Sequence, residues 1–140
     1  MPPLVSAIRP SSWPVRSSLG VFGKKWTLPI IRDLYLLGEA RFSDLVSRNQ
    51  GMSERILSLR LRDLKREGLV ERHMVSGRTE KVSYRLTGRG LAAVPILESF
   101  VQFGLMQLAA DVFGPGGPPR GDVKKRKVRK TRYLRRRRPR

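Results

Sequence analysis

Cysteine is absent from the 140 residues, and there is a single histidine, His73. Without thiols the chain forms no disulfide, holds no cysteine-ligated zinc and carries no thiol redox switch. One imidazole is too few for a metal or catalytic cluster built on histidine. Acidic residues are scarce too: 11 Asp and Glu stand against 30 Lys and Arg, a formal net charge of +19. That imbalance points to a polyanionic partner, nucleic acid or an acidic membrane surface, and says nothing about fold. Long apolar runs are also lacking. The most apolar stretch, residues 91–113, is interrupted by Pro95, Glu98, Gln102, Gln107 and Asp111, whereas a membrane span needs about 20 nearly uninterrupted apolar residues. The first 14 residues scatter proline and arginine and lack the compact apolar segment of a signal peptide. No membrane partner is therefore expected. Nor is an enzyme: no nucleophile–base pair or metal-ligand cluster is apparent, and GKKWT lacks the first glycine of a Walker loop. No catalytic residue, metal site or cofactor is assigned.

What is present suffices for one modest core, since 39% of the chain is apolar and its length is that of one domain. The charge is unevenly spread. Residues 120–140 hold 13 Lys and Arg against one acid, Asp122. Three regions follow: a flexible arm over 1–12, a folded domain over 13–113, and a disordered Lys/Arg-rich tail over 114–140. The first 16 residues read as irregular because Pro2, Pro3, Pro10 and Pro14 interrupt them. The segment GPGGPP ends regular structure ahead of the tail, which is too charged and too poor in apolar residues to fold alone.

Within the domain the apolar spacing predicts a helix over 24–37, with Trp26, Ile30, Leu34 and Leu37 on one side, Pro29 in its first turn and Gly38 as its stop. A short helix over 43–49 is expected, with Ser43 as N-cap and Asp44 in the first turn. The clearest helix covers 54–67. Ser53 caps it, Leu57, Leu61 and Leu64 form its buried stripe, and Gly68 ends it. Alternation predicts strands over 70–75 and 81–86, with Val70, Arg72 and Met74 and then Val82, Tyr84 and Leu86 sharing one face. A last long helix is expected over 88–113, capped by Thr87. The fold class is thus mainly α with a small β-hairpin: a winged helix-turn-helix, a long C-terminal dimerisation helix and a disordered basic tail.

In that arrangement the second helix of the pair lies in the major groove. At about 100° per residue, Arg55, Ser58, Leu59, Arg62 and Arg66 fall opposite the leucine stripe. Arginine reads guanine O6 and N7 with two donors, serine reaches a base or a phosphate, and Leu59 can touch a thymine methyl. The same pattern also describes a merely solvated basic face; its place after a capped short helix and before a basic hairpin favours DNA. Arg60, nearer the core margin, either pairs with a local acid such as Glu67 or clamps a phosphate. Arg78 at the wing tip, Lys81 beside it, and Lys24 and Lys25 are candidate groove or phosphate contacts, as is Ser43 at the short helix. An ordinary polar turn and a solubility role are the plain alternatives for these. The helix after Thr87 is apolar nearly all round, and such a helix is normally buried. Leu97, Phe100, Val101, Phe103, Leu105 and Leu108 are expected to be covered by a second copy in a homodimer, or else to form a hydrophobic ligand groove.

Several separate stretches, WPVRSSLGVFGKKWTLPIIRDL, RFSDL, MSERILSLRLRDLKREGLVER, VSYRLTGRG and VPILESFVQFG, occur in the order seen in HxlR-type winged-helix regulators, a branch related to the MarR group, which the chain resembles over about residues 13–104. The resemblance implies a homodimer on operator DNA, N- and C-terminal helices at the dimer interface, a recognition helix at 53–67, a wing at 74–82 and an archaeal or bacterial cytoplasm, with the protein on the nucleoid. Trp13 stands where many members carry a cysteine, so any trigger is not a thiol; a small-molecule effector of unknown identity is left open. The tail lies outside the resemblance. It should raise affinity for any duplex through counterion release, and RNA or another polyanion would serve it equally. Two readings follow: a sequence-specific transcriptional regulator, and an architectural DNA- or RNA-binding protein without sequence preference.

Overall fold

Leucine and isoleucine at helical spacing decide where the core sits. The computed structural model describes residues 14–75 and 81–115. In chain order the elements are α1 (Pro14–Phe22), α2 (Thr27–Leu37), α3 (Phe42–Arg48), α4 (Glu54–Arg66), β1 (Val70–Val75), β2 (Lys81–Leu86), α5 (Gly88–Leu91), α6 (Val94–Gln107) and α7 (Ala109–Phe113). This is a mainly helical winged helix-turn-helix with a two-stranded antiparallel hairpin, the class expected from the sequence. Two compact units are distinguished, Met1–Gln102 and Phe103–Arg140, and α6 carries residues of both.

The core of the first unit gathers Ile30, Ile31 and Leu34 of α2, Leu45 of α3, Leu57, Leu61 and Leu64 of α4, and Leu69, Val70 and Leu86 at the base of the hairpin. Each fully buried side chain of this size contributes about 1.5–3 kcal/mol. The strands pair Val70 with Leu86, Arg72 with Tyr84 and Met74 with Val82, so the six residues assigned to one face do share it. Ala40 adds a third rung beyond β2: its N–H donates to the Tyr84 carbonyl at 3.0 Å and its carbonyl accepts from the Tyr84 N–H at 2.8 Å. The opposite face holds a buried Ser83, whose hydroxyl donates to the Glu39 carboxylate.

Four expectations are corrected. Residues 14–16 belong to α1, because Pro14 stands at the helix start, where its missing N–H costs nothing, and Val21 and Phe22 pack on the core. The next helix begins at Thr27, not at residue 24: Trp26 is its N-cap and holds φ +77°, a left-handed conformation rare for a bulky residue. Pro29 is accordingly in the first turn, and Gly38 ends the helix with its N–H on the Leu34 carbonyl at 2.9 Å. The N-cap of α3 is Arg41 rather than Ser43, and the Asp44 carboxylate accepts from the Arg41 backbone N–H at 2.8 Å. Finally, the helix expected over 88–113 is three helices. Pro95 has no N–H to give to the Leu91 carbonyl, so the chain turns at Ala92 and Ala93 and Pro95 enters the first turn of α6. Leu108 separates α6 from α7.

Gly90 is where backbones come closest. A Cβ there would lie 2.0 Å from the Leu69 carbonyl oxygen, so only glycine lets α5 sit against the entry to β1. Thr87 fastens the same joint, its hydroxyl donating to the Gly68 carbonyl at 2.6 Å and accepting from the Gly90 N–H at 3.0 Å. In the second unit the described residues end α6 and form α7, with Phe103, Leu105, Met106 and Leu108 between 44% and 67% exposed. By length and mean hydropathy (1.2) alone, Gly88–Gln107 would suffice to cross a membrane.

Candidate nucleic-acid interface

The α4 helix starts where the sequence places it. Ser53 is extended (φ −76°, ψ 154°), and its hydroxyl accepts from the Ile56 N–H at 3.2 Å. Glu54 lies in the first turn and Lys65 and Arg66 in the last, each on the end its charge favours. The helix ends on Gly68 (φ +71°). The Gly68 N–H meets the Lys65 carbonyl at 3.0 Å and the Leu69 N–H meets the Leu64 carbonyl at 2.9 Å, the paired bonds of a Schellman motif. The α3 helix packs against α4 across the turn 49–53, in which Gly51 takes φ +87° and Met52 is buried.

With Leu57, Leu61 and Leu64 buried, α4 turns Arg55, Ser58, Arg62, Lys65 and Arg66 outward; Leu59 is half-buried at the edge. The two flanks of this face differ. On the wing side, Ser58, Arg62, Lys65 and Arg66 join Phe42, Leu61, Arg72 and Tyr84 around an open groove. Among the described residues, no carboxylate pairs with Arg55, Arg62 or Lys65.

On the other flank the cations are engaged, and their carboxylate also reaches Arg66 at the margin of the groove. Asp63 receives Lys24 at 2.8 Å, Arg66 at 3.1 Å and Arg60 at 3.3 Å. Arg60 also donates from Nε to the Lys25 carbonyl at 2.9 Å, and the Lys25 ammonium sits 5.3 Å from the centre of the Trp26 ring. The Lys24 hydrogen bond holds the Asp63 carboxyl below its ordinary range; partial burial opposes this, and the charges of Lys24, Arg66 and Arg60 add to it. Arg60 thus pairs with a local acid, and that acid is Asp63 rather than Glu67. Arg66, counted among the base-reading residues, is also tied to Asp63 and, at 3.8 Å, to Glu67.

Beneath the surface a second carboxylate braces the pair of helices. Asp33 is fully buried and takes Arg32 at 3.0 Å and Arg48 at 3.3 Å, while the Asn49 amide donates to it at 2.7 Å and to the Leu45 carbonyl at 2.8 Å. Burial pushes its pKa up, but the hydrogen bonds from Arg32 and Asn49, the Arg32 charge and Arg48 outweigh it, and the net shift is downward.

Of the remaining sequence-derived candidates, Ser43, Lys25 and Lys81 are exposed, and Arg78 lies outside the described residues. Along α6, Phe100 and Val101 are more than half exposed, whereas Leu97 is only half-buried at the margin. Phe103, Leu105 and Leu108 are exposed within the second unit. The residue pattern missed Arg72, Lys65 and Tyr84 beside the groove and did not place α1, an N-terminal helix implied only by the resemblance, where Val15 and Leu19 are exposed. The spacing of Val15, Leu19 and Phe22 at i, i+4 and i+7 carried the signal, masked by the prolines that precede it. Among the described residues, no cluster of three or more His, Cys, Asp or Glu could hold a metal ion.

A family model for HxlR-like helix-turn-helix proteins matches residues 21–111. The chain belongs to this family. It is 35% identical over 80 residues to the HTH-type transcriptional regulator YvaP of Bacillus subtilis, covering 57% of this chain and 73% of that one. A MarR-family transcriptional regulator from Porphyromonas gingivalis W83 superposes with a TM-score of 0.64 at 30% identity, over 71% of this chain and 97% of that one. The transcriptional regulator YodB of B. subtilis, in its reduced form, gives 0.60 at 27% identity, over 79% and 99%. This HxlR-type chain is accordingly a helix-turn-helix DNA-binding transcriptional regulator, in a family of regulators rather than enzymes. YodB has also been solved after diamide treatment; the present chain has no cysteine for such a reagent to oxidise.

Proposed function

We propose that the protein is a sequence-specific regulator acting as a homodimer, with α4 in the major groove and the wing on the flanking groove or backbone. One observation carries this reading: Arg55 and Arg62 stand outward on a capped, leucine-anchored helix and are not drawn off by any described carboxylate. They supply bidentate contacts to guanine. Ser58 and Leu59 add a polar and an apolar base contact, and Ser43, Ser53, Lys25, Lys81 and Arg78 hold phosphates. Arg66, read from the sequence as a further DNA contact, lies on the same face but is shared with Asp63 and is not counted among the base readers. Each discriminating arginine is worth about 1–3 kcal/mol.

The exposed apolar residues of α6, namely Phe100, Val101, Phe103 and Leu105, are too many to leave in water. A second copy covers them, together with Leu97 and Leu108, and two half-sites about one helical turn apart follow from a twofold dimer. A lipid bilayer is the other cover such a helix would accept; membership in a family of DNA-binding regulators favours the second copy and a place in the cytoplasm, on the nucleoid of an archaeon or bacterium. The tail, with 13 basic residues in 21, adds sequence-independent affinity. An effector, where one acts, is a small molecule rather than a thiol oxidant.

Selection from a random duplex pool tests the reading. Enrichment of a motif, with Arg55→Ala and Arg62→Ala weakening that duplex about tenfold more than random duplex, is the expected result. Failure to enrich any motif favours the second reading, an architectural DNA- or RNA-binding protein that uses the same basic platform.

A further inference from the structure

The cations around α4 divide into a free set and a neutralised set. Arg55, Arg62 and Lys65 have no carboxylate partner among the described residues, while Lys24, Arg60 and Arg66 share one carboxylate. Two of those three come from α4 itself and one from the turn 23–26, 39 residues away in sequence. The same cluster clamps that turn to the helix, since Arg60 holds both Asp63 and the Lys25 carbonyl. The clamped turn includes Trp26 in its left-handed conformation, which needs surrounding contacts to hold it.

We infer that Asp63 is a specificity-determining residue: its carboxylate withholds Lys24, Arg60 and Arg66 from indiscriminate phosphate contact while fixing the 23–26 turn against α4. The inference rests on the proposal that α4 enters the major groove. A phosphate near α4 competes with Asp63 for Arg66, which is 64% exposed, and for Lys24, which is 44% exposed. On mixed sequence the helix takes many registers, and those that bring a phosphate against Asp63 are repelled by its carboxylate. On the correct sequence, base contacts from Arg55 and Arg62 fix one register in which the phosphates lie away from Asp63. Asp63 therefore lowers affinity for mixed-sequence duplex more than for the selected one. This is discrimination by a repulsive element, distinct from the attractive readout of bases.

The full chain with Asp63→Asn is compared with wild type on a mixed-sequence duplex and on the duplex enriched by selection, over a series of salt concentrations. The expected result is a rise of roughly three- to tenfold in mixed-sequence affinity, and a salt slope steeper by about 1–2, as one or two further phosphates are neutralised at about 0.9 each. The ratio of selected to mixed-sequence affinity should fall. Asp63→Glu, which keeps the charge, should restore the wild-type slope. Lys24→Gln should leave the slope unchanged in the wild-type background and reduce it in the Asp63→Asn background. A slope and mixed-sequence affinity unchanged in Asp63→Asn, with only the selected duplex weakened, would make Asp63 a brace alone and overturn the inference. Should Asp63→Asn fail to fold, a slope lowered by Lys24→Gln in the wild-type chain overturns it as well. A wild-type chain that binds duplex but enriches no motif sinks the major-groove reading instead.

Discussion

Asp33 and Asp63 face the same task in different surroundings. Each gathers basic side chains at the helix-turn-helix, and each is held ionised below the ordinary carboxylate range. Asp33 is wholly buried, and its two arginines reach in from a surface where they are nearly half exposed. Asp63 is itself 23% exposed, and two of its partners, Lys24 and Arg66, lie out at the surface around α4. Burial makes the first carboxylate an organiser of the fold, since a charge taken out of water must keep its partners. Exposure makes the second cheap to rearrange, because solvent can replace what the protein supplies. Stability should therefore reside at Asp33 and binding discrimination at Asp63.

The largest expected effect is at the buried site. Asp33→Ala removes the acceptor for the buried Asn49 amide and the anchor between α2 and α3. Unfolding in urea should show a loss of about 2–4 kcal/mol at constant m-value, with the salt slope of DNA binding little changed wherever the protein remains folded. A loss below about 1 kcal/mol would erase the distinction drawn between the two sites.

Acid titration probes the pair next. Both folded-state pKa values lie below those of the unfolded chain, so their contribution is complete above the unfolded carboxylate value of about 3.9 and is lost as pH falls through the lowered folded values. Stability measured from pH 5 downward should fall in wild type. The fall should flatten strongly in Asp33→Ala and only slightly in Asp63→Ala. Equal flattening would mean that both carboxylates are structural.

At neutral pH Asp63→Ala should cost less than about 1 kcal/mol of stability, the range for solvent-screened pairs, while steepening the salt dependence of DNA binding. The smallest effect is expected from Lys24→Gln, within about 0.5 kcal/mol by thermal or urea unfolding. A larger value would show that the lysine braces the Trp26 turn in its own right.

Much of the fold was legible because its signals are local. The leucine stripe, the Ser53 and Thr87 caps, Gly68 past the end of α4 and the alternation of the two strands act within a few residues. The misreadings arose where one local signal competed with another. Four prolines near the start hid an amphipathic helix that Pro14 in fact initiates. Ser43 is a better cap by residue type than Arg41, yet Asp44 reaches back to the Arg41 N–H and sets the cap two residues sooner. Pro95 lies inside the single helix expected over 88–113; it divides α5 from α6 because its ring and missing N–H fall where the Leu91 carbonyl needs a donor. The candidate interface was legible as a list of outward residues on a helical wheel, but not as two flanks with different electrostatics.

The sequence by itself determined that a capped, basic, leucine-striped helix would stand between a short helix and a hairpin, in a chain with no thiol to switch it. Helix period, cap chemistry and strand alternation are properties of neighbouring residues, so they survive without a fold. Tertiary structure decided which cations that helix keeps free. Lys24 meets Asp63 across 39 residues and Asn49 meets Asp33 across 16, and such partners are chosen by the angle at which helices pack, which no spacing within a single helix encodes.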